Sequence, residues 1–404
     1  MGSGRRLESV HRTHLLWAAE AMAEILRGHK PADAVLHELF RRHRNAGAKD
    51  RANISSLIYG VLRNYFRLRA MLGEDAQPLE ICAAQVLSMV ATLPVLRELD
   101  AAALTQKITA FDETALTSAE RNNLPPWLWE KFKRDFGEPE AAALALALNR
   151  PASVDLRVNT LKATREQARE RLAQENIPAT FTERSSIGLR LEKRAALQNT
   201  SAFREGWVEP QDEGSQLLAL HLNPQPGETV ADFCAGAGGK TLALGALMHN
   251  RGTLHAFDSN AARLTRIEPR LQRSGLSIVR AQSVDDEHDH RLGELAGRCD
   301  RVLVDAPCSA TGTLRRNPEL RLREIDLAKQ QAIQLSILGA AAKLLRPAGH
   351  LVYATCSVLR EENEDVLEKF IARHPGFQRI AELRLLPHRD GTDGFYAVTL
   401  LRES

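Results

Sequence analysis

Apolar residues recur at intervals of three and four from Leu7 to about Gly137, as in "LLWAAEAMAEIL", "ISSLIYGVLRNYFRLRAML" and "ICAAQVLSMVATL". Such spacing puts the apolar side chains on one face of a helix, and few β-branched runs compete with it. The stretch predicts an all-α region of about five to seven helices. Breaks fall at "GHKPAD", "NAGAKD" and "GEDAQP", where Gly, Pro and Asp supply caps and turns. "NNLPPWLWEKFKRDFG" then reads as a linker and a helix opened by its two prolines.

From Pro151 the pattern changes. "SVDLRVNTLK" alternates as a strand does, "TREQARERLAQEN" has a helical period behind Thr164 as its cap, and "IGLRLEK" is strand-like again. From about Val208 short apolar strands alternate with helices: "TVADFCA", "GTLHAFD", "SIVRAQS", "DRVLVDA", "HLVYATC" and "YAVTLL". This alternation predicts an α/β fold with a mostly parallel, doubly wound sheet. Three domains are expected: a helical one over 1–137, a small α/β lobe over 138–207, and the doubly wound domain over 208–404.

Composition refines the picture only modestly. The 404 residues are 44% hydrophobic and 26% charged, as in an average soluble protein, and no run of about 18 apolar residues suggests a membrane span. Charges and histidines interrupt the N-terminal stretch where a secretory signal would need an apolar core. A soluble, cytoplasmic monomer with no membrane partner is expected. The net charge of +3 is uneven, since residues 1–73 hold thirteen Lys and Arg against six Asp and Glu. That excess suits a phosphate backbone and a solvated helix surface equally well. The five cysteines are an odd set without a CxxC pair, which fits neither a disulfide framework nor a zinc site, so no metal is expected. Cys82 and Cys299 read as small buried hydrophobes.

The candidate chemistry begins at "ADFCAGAGGKT". A phosphate-binding P-loop needs glycine where Cys234 stands, and the dinucleotide fingerprint needs a third glycine where Thr241 stands. S-adenosylmethionine fits better. After a strand ending in Asp232, the turn Cys234, Ala235, Gly236, Ala237, Gly238, Gly239 and Lys240 lets backbone approach the amino-acid part of that ligand. Asp258, at the next strand end, would accept from the ribose hydroxyls, and Asp285 or its neighbour Asp286 would reach the adenine edge.

Two further strands end in cysteine motifs, "DRVLVDAPCSATGTLRRNP" with Cys308 and "GHLVYATCSVLREENE" with Cys356. Both tips belong at the carboxyl edge of the sheet, beside the glycine turn, so two thiols should converge on one cleft. Together these motifs resemble those of the Sun/RsmB family, within the NOP/NSUN superfamily of RNA cytosine-5 methyltransferases. The resemblance extends to the "LRVNTLK" lobe, the "DGTDGFYAVTL" ending and "KDRANISSLIYGVLRNYFRLRAML", which is similar to the RNA-binding NusB fold.

The resemblance implies a Rossmann-like class I methyltransferase domain with S-adenosylmethionine as cofactor. Carbon 5 of cytosine is a poor nucleophile, and a thiolate added at carbon 6 makes the ring an enamine that can attack a methyl group. By the resemblance that thiolate is Cys356, Asp305 meets ring nitrogen 3 and also borders the cofactor, and Cys308 assists release. Asp305 would need burial against the base to keep a proton, and Lys240 is a candidate for stabilising the thiolate. The usual family turn is "CAAPGGKT", so Gly236 and Ala237 here imply a looser loop. RNA is the implied partner, with small-subunit rRNA favoured and tRNA as the alternative. Arg157, Lys162, Arg315 and Arg316, with Arg321 and Arg323, are candidates for phosphate contacts. A non-catalytic RNA-binding factor on the same fold is the reading from a different class.

Overall fold

The computed structural model describes residues 10–28, 30–89, 93–95 and 97–403. The chain forms two compact units, one of residues 1–151 with 313–324 and one of 152–312 with 325–404. Among the described residues no helix is long and apolar enough to cross a membrane. Arg5 and Arg6 of the basic stretch lie outside the described residues.

The helical unit follows its apolar period. In its helix Ala48–Leu72 the buried residues are Ile54, Leu57, Ile58, Val61, Leu62, Leu68 and Leu72, an interrupted three-and-four spacing along one face. Each such Leu or Ile contributes about 1.5–3 kcal/mol on burial. The Asp50 carboxylate accepts from the Gly47 N–H at 3.0 Å to start this helix, and Gly73 at φ +86° ends it. Around it lie Arg12–Gly28, Ala32–Arg42, Pro78–Leu87 and Ala101–Ala110, whose buried side chains join one core. The "NNLPPWLWEKFKRDFG" segment does form a helix at Pro126–Phe136. The next helix, Glu138–Leu148, also groups with this unit, although its sequence position suggested the α/β lobe. It packs against the helix before it, and Ala141, Leu144, Ala145 and Leu148 are its buried residues.

The second unit holds two sheets. Strands β1 (Val154–Val158), β2 (Ala179–Phe181), β3 (Gly188–Leu191) and β4 (Val208–Pro210) form an antiparallel sheet in the order β2-β3-β1-β4. Thr164 caps the helix Arg165–Gln174 beside it by accepting from Gln167 N–H. β4 therefore belongs to the small sheet, although a domain break at residue 208 would have placed it elsewhere. β2 and β4 span three residues each, too few to show a period.

The large sheet comprises β5 (Thr229–Asp232), β6 (Thr253–Asp258), β7 (Val279–Ser283), β8 (Cys299–Asp305), β9 (Leu345–Thr355), β10 (Phe377–Leu385) and β11 (Phe395–Arg402). Their order is β10-β11-β9-β8-β5-β6-β7, parallel from β7 through β9, with β11 and β10 antiparallel at one edge. β10 was invisible in the sequence because it is an edge strand with most of its residues outside the core, so "FQRIAELRL" lacks an alternating pattern. The chain runs outward from β5 to β7, then returns to lay β8 on the other side of β5. That reversal opens a crevice at the carboxyl ends of β5 and β8.

Candidate active site

A cavity of about 380 Å³ lies at this crevice, within the size range of small-molecule sites, roughly 300–1,000 Å³. Its walls include Cys234, Asp258, Asp285, Asp286, Asp305, Cys308 and Cys356, which the ends of the five strands β5 to β9 deliver to one place. Phe233, Arg263, Val284 and the helix residues Ile333 and Ile337 complete it. Sequence reasoning missed the two isoleucines because their four-residue spacing reads as ordinary helix core.

The glycine turn is built for close approach. Gly236 and Gly238 have φ of +57° and +81°, and a Cβ on Gly238 would lie 2.4 Å from Ile267 Cγ1. Asp258 is 7% exposed and accepts from the Gly236 N–H at 2.7 Å on Oδ2 and from the Asn260 N–H at 2.8 Å on Oδ1. Each oxygen keeps a second lone pair for a ribose hydroxyl. The Asp285 side chain is 94% exposed and sits 3.5 Å from Arg291. Asp289, which the sequence did not single out, organises this loop by accepting from the Asp285 N–H at 2.9 Å. Arg291 beside Asp289 holds its carboxyl far below the usual carboxylate range. These residues fit S-adenosylmethionine: a backbone turn for its amino-acid part, a strand-end acid for the ribose, and acids and apolar walls for the base.

The loop is also firmer than its sequence suggests. Arg157 donates to the Gly239 carbonyl at 2.5 Å and to Gln211 Oε1 at 2.6 Å, and Arg270 donates to the Ala237 carbonyl. Glu209 in turn pairs with Arg270 and Arg273. The expected looseness is corrected, since tertiary hydrogen bonds replace the restraint of a proline.

Arg157 itself is thereby corrected from RNA contact to brace: it is 2% exposed, and burial pulls its guanidinium down to about 10, still protonated at neutral pH. Both bonds leave from Nη1, and a lysine ammonium, on a side chain shorter than that of arginine, does not reach the position of that nitrogen. Arg157→Lys is expected to raise the KM for S-adenosylmethionine about ten-fold with a smaller change in kcat, the scale of a lost charged hydrogen bond. Steady-state kinetics would reject the brace if kcat fell and KM stayed constant.

Two other arginines need the same correction. Arg315 is 7% exposed, and Arg321 is 1% exposed with Nη1 donating to the Arg63 and Asn123 carbonyls and to Asn149 Oδ1. Burial beside Arg63 lowers the Arg321 guanidinium to about 9. The segment 313–324 belongs to the helical unit, so Arg321 crosslinks that unit instead of pinning phosphates. Arg316 and Arg323 are half-buried in this segment. Lys162 is exposed, with Nζ donating to the Glu205 and Arg273 carbonyls at 2.7 Å each.

The two motif cysteines meet. Cys308 Sγ lies 3.3 Å from Cys356 Sγ. The hydrogen bond to Cys356, burial and the nearby charges of Cys356 and Glu362 push the Cys308 thiol well above its ordinary value, so it stays protonated. Lys240 Nζ donates to Asp305 Oδ2 at 2.6 Å. Burial disfavours the Lys240 ammonium, yet Asp305, Cys356 and Asp232 together raise it above its usual value. Cys234, by contrast, is pushed up by burial and the surrounding carboxylates, which makes it an inert wall. Cys82 and Cys299 are fully buried, and burial raises both to about 12.

A doubly wound sheet, a glycine turn braced against a strand-end acid and a thiol pair at the later strand tips define a class I methyltransferase, with S-adenosylmethionine as its cofactor. The profile of the 16S rRNA methyltransferase RsmB/F family matches residues 219–401, and the ferredoxin-like domain of RsmF/B-like methyltransferases matches residues 124–198. The chain is 34% identical over 309 residues to the probable ribosomal RNA small subunit methyltransferase B of Synechocystis sp., covering 72% of this chain and 69% of that protein. It is 30% identical over 426 residues to ribosomal RNA small subunit methyltransferase B of Yersinia pseudotuberculosis, covering 96% and 98%. The crystal structure of PH0851 superposes with a TM-score of 0.80 at 27% identity, covering 98% of this chain and 99% of that one. The chain belongs to the RsmB/F family of 16S rRNA methyltransferases.

Proposed function

We propose that this protein methylates carbon 5 of a cytosine in small-subunit rRNA through a covalent adduct between Cys356 and the base. The observation that carries the reading is the thiol pair, with Cys308 and Cys356 3.3 Å apart on the wall of the cavity that Asp258 and Asp305 share. S-adenosylmethionine supplies the electrophilic methyl group when bound. Cys356, as the thiolate, forms a bond to carbon 6, and electron density moves toward ring nitrogen 3. Asp305 meets that nitrogen. Its Lys240 partner donates to it at 2.6 Å, and a proton passed from Lys240 through the Asp305 carboxyl to ring nitrogen 3 neutralises the charge that builds there and returns by the same route when the adduct collapses. After methyl transfer carbon 5 gives up its proton to a base, and the bond from carbon 6 to Cys356 breaks. The Cys308 thiol donates to the departing sulfur. Lys162 and Arg316 serve as phosphate contacts in this reading, one exposed and the other half-buried.

The relatives act on rRNA by name, and this chain matches two of them over more than two thirds of its length. Bisulfite sequencing of total RNA from a deletion strain tests the substrate. Loss of one 5-methylcytosine from small-subunit rRNA, restored by the intact gene, is expected. Loss confined to tRNA would transfer the activity to that substrate.

A further inference from the structure

The loops that carry the two thiols share one buried carboxylate. Glu362, in the single turn Arg360–Glu362 after the Cys356 loop, has no solvent exposure. Its Oε1 accepts from the Ser309 N–H at 2.7 Å and from Gln334 Nε2 at 3.2 Å, and its Oε2 accepts from the Ser309 hydroxyl. Gln334 Nε2 also donates to the Pro307 carbonyl at 3.0 Å. The peptide groups on both sides of Cys308 are thus tied to Glu362, one directly and one through Gln334. On the other side, the Tyr353 hydroxyl donates to the Glu362 main-chain carbonyl at 2.6 Å, which anchors the carboxylate to β9, the strand that delivers Cys356. The donors holding the carboxylate are neutral. A buried carboxylate held in this way is costly, and an apolar side chain could fill the same space.

We propose that Glu362 is a positioning residue for adduct release, holding the Cys308 thiol in line with the Cys356 sulfur. This role rests on the covalent reading above. In the release step the pair of the carbon 5–hydrogen bond forms the carbon 5–carbon 6 double bond, and the pair of the carbon 6–sulfur bond goes to Cys356. The new thiolate accepts the Cys308 S–H, and no further reactant is required beyond the base that takes the carbon 5 proton. Adduct formation and methyl transfer precede this step, so Glu362 affects them little. The charge of Glu362 also keeps Cys308 as a donor instead of a second thiolate.

The test separates single-turnover methyl incorporation from multiple turnover and follows RNA–protein adduct on denaturing gels. With Glu362→Ala, single-turnover incorporation is expected within a few-fold of wild type while turnover falls about a hundred-fold, the scale of a misplaced catalytic group, and methylated adduct accumulates. Glu362→Gln keeps an acceptor for the Ser309 N–H but loses the one for its hydroxyl, and should slow release about ten-fold. It decides the matter if the alanine variant fails to fold. Equal loss of both rates without adduct accumulation in the glutamine variant would show a merely structural role and overturn the proposal. Wild type is trapped in parallel on target RNA carrying 5-fluorocytosine. If it forms no adduct, the covalent reading falls and this role with it; if it does and neither Glu362 variant accumulates adduct, only the role of Glu362 falls.

Discussion

Cys356→Ala is expected to lower methyl transfer by about 10⁴-fold or more, the scale of removing a covalent nucleophile, and to leave no RNA–protein adduct. Cys308→Ala should instead accumulate protein joined to methylated RNA. The contrast follows from the different surroundings of two sulfurs only 3.3 Å apart. Cys308 is kept as a thiol by its hydrogen bond to Cys356, by burial and by neighbouring negative charge. Cys356 lies within electrostatic reach of the Lys240 ammonium. The measurement is a gel-shift of labelled RNA together with incorporation of labelled methyl. The opposite pattern, with adduct in Cys356→Ala and none in Cys308→Ala, would move the nucleophile to the "PCS" motif.

The second large effect concerns stability. Asp232 is fully buried beneath the glycine turn, with Oδ2 accepting from the Thr241 hydroxyl at 2.7 Å and Oδ1 without a hydrogen-bond partner among the described residues. Burial raises its carboxyl from 3.8 to about 7. The folded state therefore binds this proton more tightly than the unfolded chain does. The associated stability is fully present below the unfolded value, near pH 3.8, and is lost as pH rises through the folded value, near pH 7. A shift of this size corresponds to about 4 kcal/mol. Asp232→Asn keeps an oxygen for Thr241 and cannot ionise. In denaturant titrations of the cofactor-free protein the variant should be more stable than wild type at pH 8 by up to about 4 kcal/mol, and the gap should close toward pH 4. A gap that is the same at both pH values would rule out ionisation of Asp232 as its cause.

Much of the site was legible because its residues sit at strand ends in short, contiguous motifs. A strand followed by glycines, an acid closing the next strand, and cysteines just beyond two later strands all point to one edge once the sheet is parallel. Residues whose role depends on distant partners were not legible in this way. Arg157 looks like any strand arginine until Gly239, 2.5 Å away, shows what it holds. "GTLRRNPELRLR" reads as a basic arm, yet Arg321 turns inward because three acceptors of the helical unit converge on it. Glu362 is one acid in "REENE" with no local sign that it clamps both peptides beside Cys308.

The sequence by itself determined the helical region, the strand–helix alternation, the cofactor turn and the identities of Cys308, Cys356, Asp258 and Asp305, because backbone period and short motifs are local properties. Tertiary structure alone decided which charges face solvent and which are buried, how the turn is kept rigid without its proline, and that the two thiols touch. Those outcomes depend on neighbours far away in the chain, and burial and neighbouring groups, not residue type, set whether an arginine binds a phosphate or a carbonyl and how firmly the Cys308 thiol keeps its proton.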